Sequence, residues 1–271
     1  MNSLRSFNLY VVFAASILSL LTACGTGSGV SPPAPVVRSA TLTGAQEVPA
    51  VVTAASGTGG VVVDPTTKVI TGVVKTTGMT GTAAHIHTGL IGVNGAIIIT
   101  LTETVAGSGI WNVPVPTVLT QSQYDALLAD GLYFNVHSAA NPAGEIRGQI
   151  VKTQLLSGAQ EVPPVTTAAS GIGTLAVNHT ANGDGNFAIG GGITTTGMTG
   201  TAAHIHLGAA GSNGASIVTL AETASGSGVW VVPATAVLTA AQRTAYLAGN
   251  LYFNVHSAAN PDGQIRGQIM P

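Results

Sequence analysis

From Arg38 onward the chain reads as short apolar alternations broken by clusters of Gly, Pro, Asn and Asp. Leu132-Tyr133-Phe134-Asn135-Val136-His137 shows the pattern well: apolar and polar residues alternate at the period of two that a half-buried strand requires. Segments of this kind, rich in Val, Ile and Thr, predict strands at Arg38–Thr43, Gly57–Val63, Val69–Thr76, Ala83–His87, Ala96–Leu101, Gly109–Val113, Leu132–His137 and Glu145–Val151. One helical stretch interrupts them. Thr120-Gln121-Ser122-Gln123 has the Thr-x-x-Gln form of a capping box, Tyr124, Leu127 and Leu128 follow at helical spacing, and Gly131 is the expected stop.

The same pattern then repeats. Thr76 to His87 recurs without change as Thr195 to His206, and Leu132 to Pro142 recurs as Leu251 to Pro261, a period of 119 residues. A period this long marks tandem domains rather than a solenoid, whose units run about 20 to 50 residues. The second helix is expected after Thr239-Ala240-Ala241-Gln242, with its stop at Gly249. The copies differ in length where Val63 to Lys68 is matched by the longer Val177 to Asn186; both are dense in turn residues and read as hairpin loops. His179, in the longer loop, has no counterpart and reads as a solvated residue. The predicted fold class is all-β: two tandem antiparallel Greek-key sandwich or barrel domains, each with one short helix, over residues 38–152 and 153–271.

Ahead of the repeats, Arg5 precedes an apolar run from Leu9 to Leu21 that is short for a membrane span and ends in small residues, as an export signal does. Leu21-Thr22-Ala23-Cys24 resembles the lipobox of bacterial lipoproteins. That likeness implies a signal peptide over residues 1–23, acylation of Cys24, and a membrane-anchored protein of the cell envelope, at the outer membrane if the cell is Gram-negative, because Gly25 follows the cysteine. A plain secreted form is the other reading. Cys24 is the only cysteine, so a disulfide within the chain is excluded. Residues 24–37 have the Gly, Ser and Pro content of a tether. Charged residues make up 7% of the chain and the net charge is −2, which leaves no basic patch for a nucleic acid.

Six of the seven histidines fall in the repeated segments: His85, His87 and His137, then His204, His206 and His256. In a strand, residues i and i+2 share a face and lie roughly 6.6 Å apart, so both rings of each His-x-His pair can lean toward one point. A third histidine on a neighbouring strand would complete a set of three neutral nitrogen ligands suited to copper, with zinc as the alternative, and leave an open position. The competing reading has the six imidazoles bonding backbone groups, in a metal-free adhesion or matrix module. Met79 and Met198, six residues ahead of the pairs, would tilt a site toward copper(I) as thioether ligands but read first as core filler, and Trp111, Trp230, Tyr133 and Tyr252 read as residues closing the core, with a ligand-stacking face as the alternative. Glu47 and Glu161, each before Val-Pro, read as turn formers. No nucleophile elbow, phosphate loop, dinucleotide fingerprint or catalytic carboxylate pair is present, so hydrolase, kinase and dehydrogenase readings have no support.

Several repeated segments together resemble the CHRD domain, named from the extracellular protein chordin and common in exported bacterial proteins. They are Leu42 to Pro49, Ala83 to His87, and Gly131 to His137 continuing through Asn141 to Gln149, with their counterparts at Leu156 to Pro163, Ala202 to His206 and Gly249 to Gln268. The resemblance implies an extracellular binding or structural module whose partner is an extracellular protein or matrix component, without a general assigned reaction. Gln264 stands where the first copy has Glu145, so a role that needs this carboxylate in both domains is in doubt. A fainter likeness to copper-zinc superoxide dismutase implies three copper-ligating histidines per domain and an anion-guiding Arg147 or Arg266, in a copper-dependent redox enzyme. The bridging histidine, the zinc ligands and the disulfide of that enzyme have no match. Without that likeness, Arg147 and Arg266 read as partners of Glu145, Glu47 or Asp262, or as exposed anion contacts.

Overall fold

In the computed structural model, residues 33–271 are described, and 34–271 form one compact unit. The leader, Cys24 and most of the tether therefore lie outside the described residues. The first repeat folds as β1 (Val36–Thr43), β2 (Ser56–Val63), β3 (Val69–Thr77), β4 (Gly81–Thr88), β5 (Ile97–Thr100), β6 (Thr102–Glu103), β7 (Ile110–Asn112), β8 (Thr117–Val118), α1 (Gln121–Leu128), β9 (Leu132–Ser138) and β10 (Ile146–Gln149). The second follows as β11 (Thr153–Ser157), β12 (Ser170–Val177), β13 (Phe187–Thr196), β14 (Ala202–Leu207), β15 (Ser216–Thr219), β16 (Ala221–Glu222), β17 (Val229–Val231), β18 (Val237–Leu238), α2 (Ala240–Leu247), β19 (Leu251–His256) and β20 (Ile265–Ile269).

Each repeat is one antiparallel sheet that curls into a barrel-like sandwich. The strand order is β5-β4-β9-β10-β1-β2-β3-β7-β6, with β8 beside β3, and the second repeat has the same order. Long crossovers bring β9 beside β4 and β10 beside β1, so the repeat's first and last strands meet in the middle of its sheet. The alternating pattern decides which face is inside. Ala84, Ile86, Leu132, Phe134, Val136 and Ile146 are fully buried in the first core, and a separate cluster around Ile205, Phe253, Val255 and Ile265 forms the second. The polar half of the alternation, His85, His87, Tyr133, Asn135, His137 and Arg147, falls on the opposite face, where antiparallel register places His85 beside Asn135 and Asn135 beside Arg147.

The helices begin as the sequence predicts. Thr120 accepts from the Gln123 amide while the Gln123 side chain accepts from the Thr120 amide, and Thr239 with Gln242 does the same. The stop of α1 differs from expectation: the left-handed residue is Asp130 (φ 53°), one place before Gly131, and its counterpart is Gly249 (φ 70°). Aspartate tolerates this conformation better than most residues, which is why the position was not legible from glycine alone. Met79 and Met198 pack against the cores, Trp111 and Trp230 are buried in them, and His179 is exposed in its loop.

Candidate metal centre

Within each repeat the three histidines meet. His85 and His87 project from β4 and His137 from the neighbouring β9, and one ring nitrogen from each lies within 4.8 Å of the other two. Nitrogen ligands around a tetrahedral zinc or copper ion sit roughly 3.3 Å apart, so a small inward movement of the rings would close the set. His204, His206 and His256 repeat the arrangement on β14 and β19.

The backbone fixes which nitrogens face the centre. His87 Nδ1–H donates to the Gly95 carbonyl at 3.0 Å, and His137 Nδ1–H donates to the Pro142 carbonyl at 3.1 Å. Both rings therefore present an Nε2 lone pair inward. His137 Nε2 meets His85 Nδ1 at 3.0 Å, a contact in which His85 donates when no ion is bound. His87 Nε2 is buried without any hydrogen-bond partner, as is His206 Nε2. A buried imidazole acceptor left bare in both repeats is costly unless something else binds it.

Burial, then the other imidazoles, pushes the His85 pKa below the ordinary histidine value; burial is also the leading cause for His87, His137, His204 and His206. These rings are neutral at pH 7, the form that ligates a metal.

A second layer holds the first. Tyr133 stacks on His87 with ring centroids 4.9 Å apart, and the Arg147 guanidinium lies 3.5 Å from the Tyr133 ring centre. Tyr133 and Tyr252 are buried on the outer, site-bearing face of the sheet, where each stacks on a histidine, and they do not close the core. Arg147 is 1% exposed and donates to Asn94 Oδ1 and to the Leu90 and Val93 carbonyls. These bonds tie down the loop that ends at Gly95, whose carbonyl orients His87. Gly95 itself has to be glycine, since a Cβ there would sit 1.7 Å from the Thr88 carbonyl oxygen. Arg266 repeats the arrangement with Asn213, Ala209 and Ser212. The exposed anion contact expected of these arginines is therefore replaced by a buried positioning role, because a loop roofs the outer face of the sheet.

The turn after β1 closes the other side. Glu47 is 7% exposed, its Oε2 accepts from Asn135 Nδ2 at 3.4 Å, and burial raises its pKa from 4.5 to about 7 against the pull of Arg147. Glu161 repeats this beside Asn254. Glu145 accepts from Thr53, and in the second repeat Gln264 donates to Thr167 instead. A carboxylate and an amide thus fill the same latch. We expect Glu145→Gln to change stability by less than about 1 kcal/mol and to leave metal loading unchanged, checked by urea unfolding and metal analysis side by side.

The CHRD domain family matches residues 38–150 and again 153–269, and the chain belongs to this family as a tandem CHRD domain protein. No curated protein matches the chain.

Proposed function

We propose that the protein is a lipid-anchored, extracytoplasmic binding module in which each CHRD domain holds one copper ion through three histidines, with zinc as the competing ion. The observation that carries this reading is the pair of buried, partnerless Nε2 atoms, on His87 and His206, each aimed at two further imidazoles whose orientation backbone carbonyls help to fix. All-imidazole ligation without thiolate or carboxylate suits copper and zinc rather than calcium or magnesium. When bound, the ion would supply a Lewis-acidic position for a ligand of a partner molecule. The chain's own contribution is to keep the rings neutral and oriented. The redox reading shares the three histidines, but the arginine it casts as the anion guide is buried and bonded to the roof loop, so the site's geometry favours binding over it.

Metal analysis after loading and dialysis tests the proposal. The wild type should retain one equivalent per domain; His87→Ala should lose one, and His87→Ala with His206→Ala should lose both. Retention unaffected by the double substitution would place the metal elsewhere, and no retention by the wild type would return the histidines to a structural role.

A further inference from the structure

The dipeptide Asn-Gly occurs three times in the chain, at Asn94-Gly95, Asn182-Gly183 and Asn213-Gly214. In this pair an asparagine amide is most open to attack by the chain itself, because glycine has no side chain to hinder the approach of its backbone nitrogen to the amide carbon. All three asparagines are exposed, so access to water does not separate them. Their bonding does.

In the two copies of the loop beside the histidines, every group that such an attack must move is held. Asn94 Oδ1 accepts from Arg147 Nη1 at 3.1 Å, Asn94 Nδ2 donates to the Val48 carbonyl at 2.8 Å, and the Gly95 N–H donates to the Tyr133 hydroxyl at 3.1 Å. Asn213 and Gly214 repeat all three bonds, with Arg266 at 3.2 Å, Val162 at 2.7 Å and Tyr252 at 3.0 Å. The glycines are also wedged against backbone: a Cβ on Gly214 would lie 1.6 Å from the Leu207 carbonyl oxygen, as one on Gly95 would crowd Thr88.

Asn182-Gly183 is placed differently. It lies in the hairpin loop between β12 and β13, the segment that lengthens the second repeat, and the matching Val63 to Lys68 of the first repeat contains no asparagine. The Asn182 backbone is anchored, its N–H to the Asn186 carbonyl and its carbonyl to the Gly185 N–H. Its side chain and the Gly183 N–H have no hydrogen-bond partner among the described residues, and a Cβ on Gly183 would meet nothing within 4 Å. Amide and nucleophile are thus free to meet, in a turn that keeps its place.

We infer that Asn182 is a site of spontaneous deamidation, and that the arginine and tyrosine bonds shield the same dipeptide at Asn94 and Asn213. The Gly183 nitrogen gives up its proton and bonds to Asn182 Cγ, the Cγ–Nδ2 bond breaks, and ammonia leaves, so that a cyclic imide remains. Water adds to either imide carbonyl and reopens the ring as aspartate or isoaspartate. The sum is amide plus water giving carboxylate plus ammonium, and each event adds one negative charge to the loop.

Peptide mass mapping of the full-length chain, held for weeks at pH 8 and 37 °C in water enriched in oxygen-18, tests this. In the folded protein Asn182 should convert about 100-fold faster than Asn94 or Asn213, since three bonds must break before either of those can cyclise. In guanidinium chloride the three rates should converge, because the dipeptide is the same and the shield is gone. Tyr133→Phe keeps the ring beside His87 and removes only the oxygen that receives the Gly95 N–H, so Asn94 should convert about fivefold faster while Asn213 is unchanged. Comparable rates at all three asparagines of the folded protein, or an Asn182 that stays intact, would overturn the assignment. An Asn94 rate unmoved by Tyr133→Phe would overturn the shield.

Discussion

Replacing Arg147 with methionine is expected to lower stability by about 3 kcal/mol and to weaken metal binding at the first triad by about 10- to 100-fold, while the second triad keeps its affinity. The guanidinium makes three hydrogen bonds to neutral acceptors on the roof loop and faces the Tyr133 ring. Methionine fills much of the space but satisfies none of the Leu90, Val93 and Asn94 oxygens that the guanidinium now holds. Once the loop loosens, Gly95 no longer fixes His87 Nδ1, and the ring that carries the bare Nε2 can turn away. Each repeat has its own core and its own triad, so Arg266 serves as an internal control. Titration calorimetry should resolve two unequal sites where the wild type shows nearly equal ones, and hydrogen exchange should speed up over residues 89–95. Two equal sites in Arg147→Met, with unchanged exchange, would remove the link from arginine through loop to histidine.

Much of this site was legible from alternation. Once β4 and β9 are read as strands, the period of two puts His85, His87 and His137 on one face, and only their adjacency in the sheet remained to be found. The capping boxes and the β2–β3 hairpin are local signals that the fold keeps, because nothing in the tertiary packing competes with them. What alternation misjudged is the environment of the outer face. Arg147 alternates with buried Ile146 and so reads as solvent-facing, yet that face is covered by two loops whose path depends on contacts such as Asn94 Nδ2 to the Val48 carbonyl. Glu47 reads as a turn residue for the same reason: its burial arises from a fold-back of the turn over the sheet, which no local pattern encodes. The Gly190-Gly191-Gly192 run in β13 was a signal that could have been used, since glycines within a strand mark close approach of another backbone or side chain. Two of the three mark the contact between the domains, where Ile91 of the first repeat sits against Gly190 and Thr41 against Gly192.

Duplication makes the site's requirements visible within one chain. Between the two repeats the histidines, the stacked tyrosine, the buried arginine, the asparagine and the glutamate are the same, while Glu145 becomes Gln264 and the roof loop Leu90-Ile91-Gly92-Val93 becomes Ala209-Ala210-Gly211-Ser212. The loop carbonyls that receive the arginine are kept by the backbone alone, at 3.0 and 2.9 Å in the first repeat and 3.0 Å twice in the second. Side chains on that loop are therefore free to serve the domain contact, and the difference between Ile91 and Ala210 falls there.

Glu47→Gln with Glu161→Gln should make the metal-free protein more stable at pH 8 and nearly neutral in effect at pH 5. In the fold, Glu47 Oε1 and Asn135 Oδ1 are both buried without partners and flank Gly144, whose Cβ, if present, would lie 2.7 and 2.6 Å from them. Two facing acceptors are satisfied if Glu47 carries a proton on Oε1, and burial favours that state by raising its pKa from 4.5 to about 7. The sign follows from linkage: a carboxyl protonated in the fold but ionised when unfolded contributes stability that is full below pH 4.5 and lost as pH rises through 7. A rise of this size corresponds to about 3 kcal/mol per glutamate once both states are ionised. Glu161 has the same raised value, so the two losses add across separate domains. The histidines act in the opposite direction but in a lower window. Their depressed pKa values remove stability only as pH falls below 6.5, and Asp130, raised to about 6, completes most of its ionisation below the same point. Between pH 6.5 and 8 the glutamates therefore dominate the slope. Glutamine reproduces the protonated form, since its Nε2–H can donate to Asn135 Oδ1 while its Oε1 accepts from Asn135 Nδ2. Urea unfolding at intervals from pH 5 to 8 should show wild-type stability falling across the upper half and the double variant nearly flat there. Parallel curves would mean that both glutamates are already ionised in the fold, and the buried acid–amide pair would have to be abandoned.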